Sequence, residues 1–242
     1  MAKKSGLAQK LFQGVFDLSG DVSSISNWST PVGSYEVTGI DKSAVERIQG
    51  LVSGTLSYNV FFNDATAAAH LASRVPPTST LLTWMLGQTV GDACGMFNGV
   101  ATNYDPTRGP DGSISFDIET LSTTTAPVWG VALTPGLKTD TSAANGATLD
   151  QGAQTSAGAE GFLHVTSFTG SNFTATIQDS ANGSDWGTLV AFTQVTGTGS
   201  ERVTVSGTVE RYVRVISSGT FNPVSFAVSF RRGEATDRVT YS

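Results

Sequence analysis

Short segments of this 242-residue chain alternate regularly between apolar and polar residues, which favours strands over helices. Val224, Phe226, Val228 and Phe230 put every second side chain on one face, which is typical of a strand with one buried side. Similar segments, separated by Gly, Ser or Asn turns, cover residues 161–168, 172–178, 187–195, 202–207, 211–216 and 223–230. Six strands at ~8–12-residue spacing predict a β-sandwich.

The N-terminal half is predicted to be β-rich with two short helices. Residues 51–62 and 113–120 alternate in the manner of strands. Residues 41–48 are predicted to be helical because an Asp can cap the segment and its apolar residues lie three and four apart. Residues 63–74 are alanine-rich and are followed by two prolines, at positions 76 and 77, that would end a helix.

Composition divides the chain near residue 135. Residues 135–159 are mostly small or polar, which is typical of a linker or an exposed loop system. We therefore expect a mainly β fold with a first domain over residues 1–135 and a linker over residues 136–154. A second β-sandwich domain is expected over residues 155–232, followed by a C-terminal tail over residues 233–242.

Charge and the single cysteine exclude several classes of protein. Fourteen Lys and Arg against 20 Asp and Glu give a net charge of -6, whereas a protein that reads a DNA groove needs a basic face. Cys94 has no second cysteine with which to form an internal disulfide. Residues 1–10 lack the apolar run of a secretory signal, and no segment has the ~20 apolar residues that span a bilayer. We expect a protein that folds in the cytoplasm without membrane insertion.

Residues that commonly carry catalysis lack the arrangement that catalysis requires. His70 and His164 have no Cys or His at ligand spacing, and Cys94 has no evident His–Asn partners. The Gly-Thr-Gly at residues 197–199 lies between strands and is interpreted as a hairpin turn rather than a phosphate-binding loop. The sequence therefore predicts no enzyme, no cofactor and no metal.

The segment Asp-Ser-Ala-Asn-Gly-Ser-Asp-Trp at residues 179–186 is the candidate surface-loop contact, with Asp179, Asn182, Asp185 and Trp186 as its candidate residues. Its oxygens could surround calcium or satisfy the backbone of a tight hairpin, and the missing EF-hand spacing favours the hairpin. Trp186 is expected to pack into the sandwich. The alternative is an exposed ring that stacks on a sugar.

Four motifs follow one another over residues 18–63: Leu-Ser-Gly-Asp-Val at 18–22, Val-Thr-Gly-Ile-Asp-Lys-Ser at 37–43, Glu-Arg-Ile-Gln-Gly-Leu at 46–51, and Gly-Thr-Leu-Ser-Tyr-Asn-Val-Phe-Phe-Asn at 54–63. In order and spacing they resemble phage tail tube (major tail) proteins of long-tailed, non-contractile phages. The first domain is then expected to be a β-sandwich or barrel of the tail-tube type.

The second half carries Ala-Thr-Ile-Gln-Asp-Ser-Ala-Asn-Gly-Ser-Asp-Trp at residues 175–186 and Arg-Tyr-Val-Arg-Val at residues 211–215. These segments resemble the β-sandwich domains that many phage tail and virion proteins append. They are also similar to discoidin-like and galactose-binding-like sandwiches. The alternative functions are therefore a carbohydrate-binding module and another virion surface or decoration protein.

The resemblance to tail tube proteins implies a structural virion protein that is not an enzyme. Its subunits would form hexameric rings that stack into the tube through which phage DNA passes, without specific binding. The implied partners are the tape measure, tail terminator and distal tail proteins. A host-surface glycan is a further candidate partner of the second domain, which would project outward. The implied location is the virion tail, assembled in the host cytoplasm.

A conduit for a polyanion should avoid clusters of fixed cations. The candidate lumen-facing residues are the acidic side chains Asp17, Asp21, Asp117 and Glu119. The alternative is that these carboxylates lie on an ordinary solvated face. Residues 1–10 and 231–242 lack core-forming patterns, and one of these ends is expected to bridge adjacent rings.

Overall fold

A computed structural model describes residues 6–74 and 78–233. In this part of the chain the fold is mainly β, as predicted, with a single short helix. The elements are β1 (Lys10–Gln13), β2 (Phe16–Asp17), β3 (Val22–Ser29), β4 (Val32–Glu36), β5 (Arg47–Val52), β6 (Thr55–Phe61), α1 (Ala68–Ser73), β7 (Thr80–Met85), β8 (Ala93–Ala101), β9 (Asp105–Arg108), β10 (Ile114–Ser122), β11 (Val128–Ala132), β12 (Lys138–Asp140), β13 (Ala144–Asn145), β14 (Leu149–Asp150), β15 (Ala159–Ser180), β16 (Gly187–Ala191), β17 (Gly199–Val205) and β18 (Tyr212–Arg232).

The chain forms two compact units. Unit 1 contains the residues up to Gly20, Thr80–Met96 and the residues from Val128 onward; unit 2 contains Asp21–Ser79 and Phe97–Pro127. Unit 1 thus takes segments from both sides of residue 135, whereas the predicted domains are continuous in sequence. Strand pairing in the described residues is antiparallel and does not close on itself, in agreement with a sandwich.

Two long strands, β15 and β18, form the framework of unit 1 and pair with each other along almost their whole length. β17 pairs with the first half of β15, and β16 pairs with its second half. The sequence predicts two separate strands in each of these long strands. That prediction is wrong because β15 and β18 continue to pair past the intervening glycines, with shifts of register between Val165 and Asn172.

Glycine is required where the β15–β18 ribbon bends. Gly170 and Gly219 have φ of +149° and +123°. A Cβ on Gly170 would lie 2.4 Å from the carbonyl oxygen of Thr220, and a Cβ on Gly219 would lie 2.4 Å from that of Asn172. Only a residue without a side chain allows this approach in this backbone conformation.

Both halves of the ribbon contribute to one apolar core. Val165 and Phe226 come from one half, and Phe173, Ile177 and Val215 come from the other, and all are buried in the same cluster. A second buried cluster in unit 1 includes Phe12, Met85, Cys94, Met96 and Phe162. Cys94 is therefore a small core residue, and burial raises the pKa of its thiol, which disfavours the reactive thiolate.

Unit 2 is built on β10, which pairs with β6, β9 and the end of β8, while β6 also pairs with β3. Its buried side chains follow the predicted alternation, with Phe116 and Ile118 on β10 facing Tyr58 and Val60 on β6. The hydroxyl of Tyr58 lies 3.2 Å from that of Ser73, and burial raises the pKa of Tyr58 to about 12.

The two predicted helices have different outcomes. Residues 41–48 are not helical: they form the turn before β5 and its first two residues. A helix of two turns is marginal in water, whereas pairing with β4 satisfies the backbone of the segment from Arg47 onward. The second helix exists, but α1 covers only part of residues 63–74. The two prolines predicted to end it lie outside the described residues.

In the described part of the chain, no helix is long and apolar enough to cross a membrane.

Candidate functional site

A hairpin of β4 and β5 forms a two-stranded sheet of its own in unit 2. Tyr35 lies opposite Ile48, and Glu36 lies opposite Arg47. Because successive side chains of a strand point to opposite faces, Tyr35, Val37 and Ile48 share one apolar face, whereas Glu36 and Arg47 lie on the other. The hairpin is therefore amphipathic.

The apolar side chains of this hairpin are exposed to an unusual degree. The structure has thirteen large exposed apolar side chains in its described residues, and seven of them lie between residues 32 and 51. They are Val32, Tyr35, Val37, Ile40, Val45, Ile48 and Leu51. Ile40 at the tip is 110% exposed and Leu51 is 87% exposed. Apolar patches of this kind on soluble proteins mark interaction surfaces.

Hydrogen bonds and charges order the hairpin tip. The backbone N–H of Val37 donates to the carbonyl of Glu46, whose own N–H donates to Oγ1 of Thr38 at 3.0 Å. Nζ of Lys42 lies 3.7 Å from the carboxylate of Glu46 and 3.9 Å from that of Asp41. The tip therefore holds Ile40 in a defined loop. Sequence reasoning missed this hairpin because it assigned residues 41–48 to a helix.

Two of the four candidate lumen residues lie on one face of unit 2. Asp117 and Glu119 alternate with buried Phe116 and Ile118 along β10, so their side chains point away from the core. Nδ2 of Asn59 on β6 donates to Asp117 at 2.8 Å. These side chains belong to a polar outer face formed by β3, β6, β9 and β10, which we call the acidic face.

The acidic face carries no cation from the strands that form it. Arg108 is the one basic residue in the described residues of β3, β6, β9 and β10. It lies opposite Ile114, which alternates with Ser115 and Asp117, so Arg108 belongs to the other face. Unit 2 as a whole has four basic and nine acidic residues, hence -5 of the net charge of -6.

The other two lumen candidates have local structural roles. Asp21 is 6% exposed, and its carboxylate accepts hydrogen bonds from Nδ2 of Asn63 at 2.8 Å and from Oγ1 of Thr66 at 3.4 Å. Its buried side chain cannot line a wall, and it fixes the connection between β6 and α1. Asp17 belongs to unit 1, where it lies 3.3 Å from Nζ of Lys10 and accepts from Ser19.

The candidate surface loop is a self-contained hairpin turn of unit 1. Oδ1 of Asn182 accepts from the N–H groups of Ser184 and Asp185 at 2.8 and 2.9 Å, while Nδ2 of Asn182 donates to the carboxylate of Asp185 at 2.7 Å. Asp179 accepts from the N–H of Glu210 at 2.8 Å. The oxygens that could have surrounded a cation thus accept hydrogen bonds from the protein's own donors.

Trp186 lies on the sheet surface rather than in the core, contrary to the expectation from sequence. It is half-buried and does not belong to the buried cluster of unit 1. The guanidinium of Arg214 lies 4.1 Å from the centre of its ring, and Gln178 accepts two hydrogen bonds from that guanidinium. One face of the ring is therefore covered by the protein's own cation.

Unit 1 also contains an apolar cavity of about 390 Å³. It lies between the turn at residues 88–90 and the segment over residues 133–147, which includes β12 and β13. Val90, Leu133, Pro135 and Ala147 supply much of the lining, and Lys138 is the one charged lining residue.

Neither histidine belongs to a metal centre in the described residues, where no group of three His, Cys, Asp or Glu side chains could hold an ion. Nδ1 of His70 lies 2.5 Å from the hydroxyl of Tyr104. His164 is fully buried in unit 1 and bonds to Gly14 and Thr83.

Comparisons with known proteins do not assign the chain to a family. No family model matches the sequence, and no curated protein matches it. Among solved structures, the chain is similar to the crystal structure of the SPP1 Dit (gp 19.1) protein, described as a paradigm of the hub adsorption apparatus in phages that infect Gram-positive bacteria. The match covers 93% of this chain and 100% of that chain, at 10% identity and a TM-score of 0.33. A similarity of this size carries no conclusion about fold or function.

Proposed function

We propose that this chain is a structural subunit of a phage tail, which self-associates into hexameric rings and stacked tubes through which DNA passes. The exposed apolar face of the β4–β5 hairpin is the observation that supports self-association, and the motifs over residues 18–63 support the phage tail. A two-stranded hairpin is marginal in water by itself, so an apolar hairpin gains stability when another surface covers it.

The area of the hairpin supports this proposal. Its seven exposed apolar side chains, counted over both faces and the tip, present on the order of 700 Å² in total, taking ~150 Å² as the full area of a large apolar side chain. A standard protein interface buries about 800 Å² on each partner. A hairpin that covers a different surface of the next copy makes a heterologous contact, and repeated heterologous contacts generate rings or filaments.

The acidic face supports the second part of the proposal. A wall that carries Asp117 and Glu119, with Arg108 on its other side, repels phosphate and lets a polyanion move past. The proposal thus gives the hairpin the role of an assembly arm and the acidic face that of an inner wall.

Self-association is tested with the purified full chain by sedimentation velocity and negative-stain electron microscopy. We expect rings or tubes from the wild type. The double variant Tyr35→Ser/Ile48→Ser should remain monomeric, with an unchanged circular dichroism spectrum. The matched control Ser34→Ala/Gln49→Ser alters the opposite, polar face and should assemble like the wild type. A wild type that stays monomeric, or a Tyr35→Ser/Ile48→Ser variant that assembles normally, would overturn the proposal.

The carbohydrate-binding alternative is tested on the same preparations. Binding to a polysaccharide resin that Trp186→Ala abolishes, in a protein that stays monomeric, would favour that alternative. The stack of Arg214 on Trp186 reduces the ring area available to a sugar, and we expect no retention on the resin.

A further inference from the structure

We infer that the apolar cavity of unit 1 is the receptor for the hairpin tip of a second copy of this chain, with Ile40 as the inserted side chain. The inference rests on the proposed function, since it names the surface that the hairpin covers. It joins two features of opposite shape: an apolar side chain that projects fully into water, and an apolar hollow that no side chain fills.

Hydrogen bonds hold the cavity open before any partner arrives. The N–H of Gly91 donates to the carbonyl of Ala132 at 2.8 Å and fixes the turn that forms one wall. The N–H of Gly146 donates to the carbonyl of Val215 at 2.7 Å and fixes the opposite wall. Oγ1 of Thr134 donates to the carbonyl of Gly136 at 2.8 Å. A preformed receptor loses little conformational freedom when it binds.

The size and chemistry of the cavity favour a large aliphatic side chain. About 390 Å³ is room for roughly a dozen water molecules, and water next to Val90, Leu133 and Pro135 finds few hydrogen-bond partners there. Displacement of such water by an apolar group is favourable. Ile40 is the most exposed apolar side chain among the described residues, so it gains most from this transfer.

Charge bears on how the tip is oriented in the cavity. Asp41 follows Ile40 directly, and its side chain is 76% exposed. Lys138 is the one charged residue of the cavity lining, and its Nζ already lies 2.7 Å from the carboxylate of the buried Asp140. When Ile40 enters the cavity, the Asp41 carboxylate approaches the rim where Lys138 lies. This contact sets the orientation of the tip more than it adds affinity.

The first test fills the cavity. Ala147 is an exposed lining residue outside the strands, so Ala147→Trp should block the cavity without disturbing the core. We expect at least tenfold weaker self-association by sedimentation velocity, with unchanged thermal unfolding of the monomer. The matched control Ala181→Trp adds the same ring to an exposed turn of unit 1 and should assemble like the wild type.

The second test captures the contact between copies. Ile40→Cys and Ala147→Cys are prepared separately, mixed and oxidised, so a disulfide between the two variants must join different molecules. The native Cys94 is buried and does not compete. We expect a disulfide-linked dimer in the mixture but not in either variant alone, and not when Ile40→Cys is mixed with Ala181→Cys.

The outcomes separate this inference from the proposed function. If the wild type assembles, but Ala147→Trp assembles equally well and no specific cross-link forms, the cavity is not the receptor although self-association stands. Dimers of Ile40→Cys alone would show that hairpin tips meet each other, which also overturns the inference. A wild type that never assembles overturns the proposed function, and the inference with it.

Discussion

Nδ1 of His164 lies 2.8 Å from the carbonyl oxygen of Gly14, a residue 150 positions away in the sequence. A carbonyl only accepts, so Nδ1 carries the proton, and Nε2 accepts from the hydroxyl of Thr83 at 2.8 Å. The imidazole also stacks on Phe12, with 5.6 Å between ring centres. One neutral histidine thus joins three segments of unit 1 that are far apart in sequence.

This arrangement predicts that the protein loses stability in mild acid. Burial lowers the pKa of His164 to about 4, whereas an unfolded histidine has a pKa of about 6.5. As the pH falls below 6.5, the unfolded state takes up a proton that the folded state excludes. Stability that is fully present above pH 6.5 is therefore lost progressively down to about pH 4, with a total loss of about 3 kcal/mol.

Urea unfolding between pH 7.5 and 4 checks this prediction. The variant His164→Gln keeps a donor for Gly14 and an acceptor for Thr83 but has no proton to gain. It should be less stable than the wild type at pH 7.5 and should show a flatter dependence on pH. Equal slopes for the two proteins would exclude His164 as the source of acid sensitivity.

The bend of the β15–β18 ribbon predicts a large effect of a single methyl group. Gly219→Ala would combine a positive φ with a Cβ 2.4 Å from the carbonyl oxygen of Asn172. We expect a loss of about 3 kcal/mol in the free energy of unfolding. Gly197→Ala is the control, because no atom lies within 4 Å of the added carbon and its φ is not positive. Similar stabilities of both variants would show that the ribbon does not need glycine at the bend.

The strand β18, which contains Gly219, also shows which parts of the fold the sequence could predict. Alternation identified the strand that ends at Phe230 because its period of two is set by local geometry. Gly219 lies between the predicted strands over residues 211–216 and 223–230, where a glycine is typical of a turn. The glycine instead bends a strand whose pairing with β15 continues, and pairing between distant segments leaves no local trace.

Only part of the candidate site could be predicted from the sequence, because local patterns are visible there and contacts between distant residues are not. Asp117 and Glu119 were placed on a polar strand face by alternation, and the structure puts them there. The burial of Asp21 depends on Asn63 and Thr66, which lie more than 40 positions away, and no local pattern indicates this contact. The hairpin was missed because the spacing of its apolar residues also fits a helix.

Replacement of Arg232, at the end of β18, by lysine is predicted to destabilise the protein. Its guanidinium donates to the carbonyls of Val209 and Glu210, both at 2.6 Å, and to the side chains of Gln151 and Thr155 at 2.9 and 3.1 Å. A lysine has three donors on one nitrogen and cannot reach all four acceptors. We expect Arg232→Lys to lower the free energy of unfolding by about 2 kcal/mol in urea titrations.

The control for Arg232 is the exposed pair of Arg211 and Asp150, whose atoms approach to 2.6 Å. Because both side chains are well solvated, Arg211→Lys should cost clearly less stability than Arg232→Lys. The guanidinium of Arg211 lowers the pKa of Asp150 to about 2, so the charges of this pair persist across the pH range of the titrations. An equal effect of the two substitutions would contradict the role given to the four hydrogen-bond acceptors of Arg232.

The turn at residues 179–186 is predicted to need Asn182 but no calcium. Asn182→Ala removes three hydrogen bonds that Oδ1 accepts and the one that Nδ2 donates to Asp185, and we expect a loss of about 1 kcal/mol. Added calcium should leave the thermal unfolding temperature of the wild type unchanged, because the turn's own donors occupy these oxygens. Differential scanning calorimetry with and without about 5 mM calcium checks this, since that concentration exceeds the dissociation constants of about 0.1–1 mM of weak calcium sites. A rise in temperature that Asn182→Ala abolishes would instead identify a cation site.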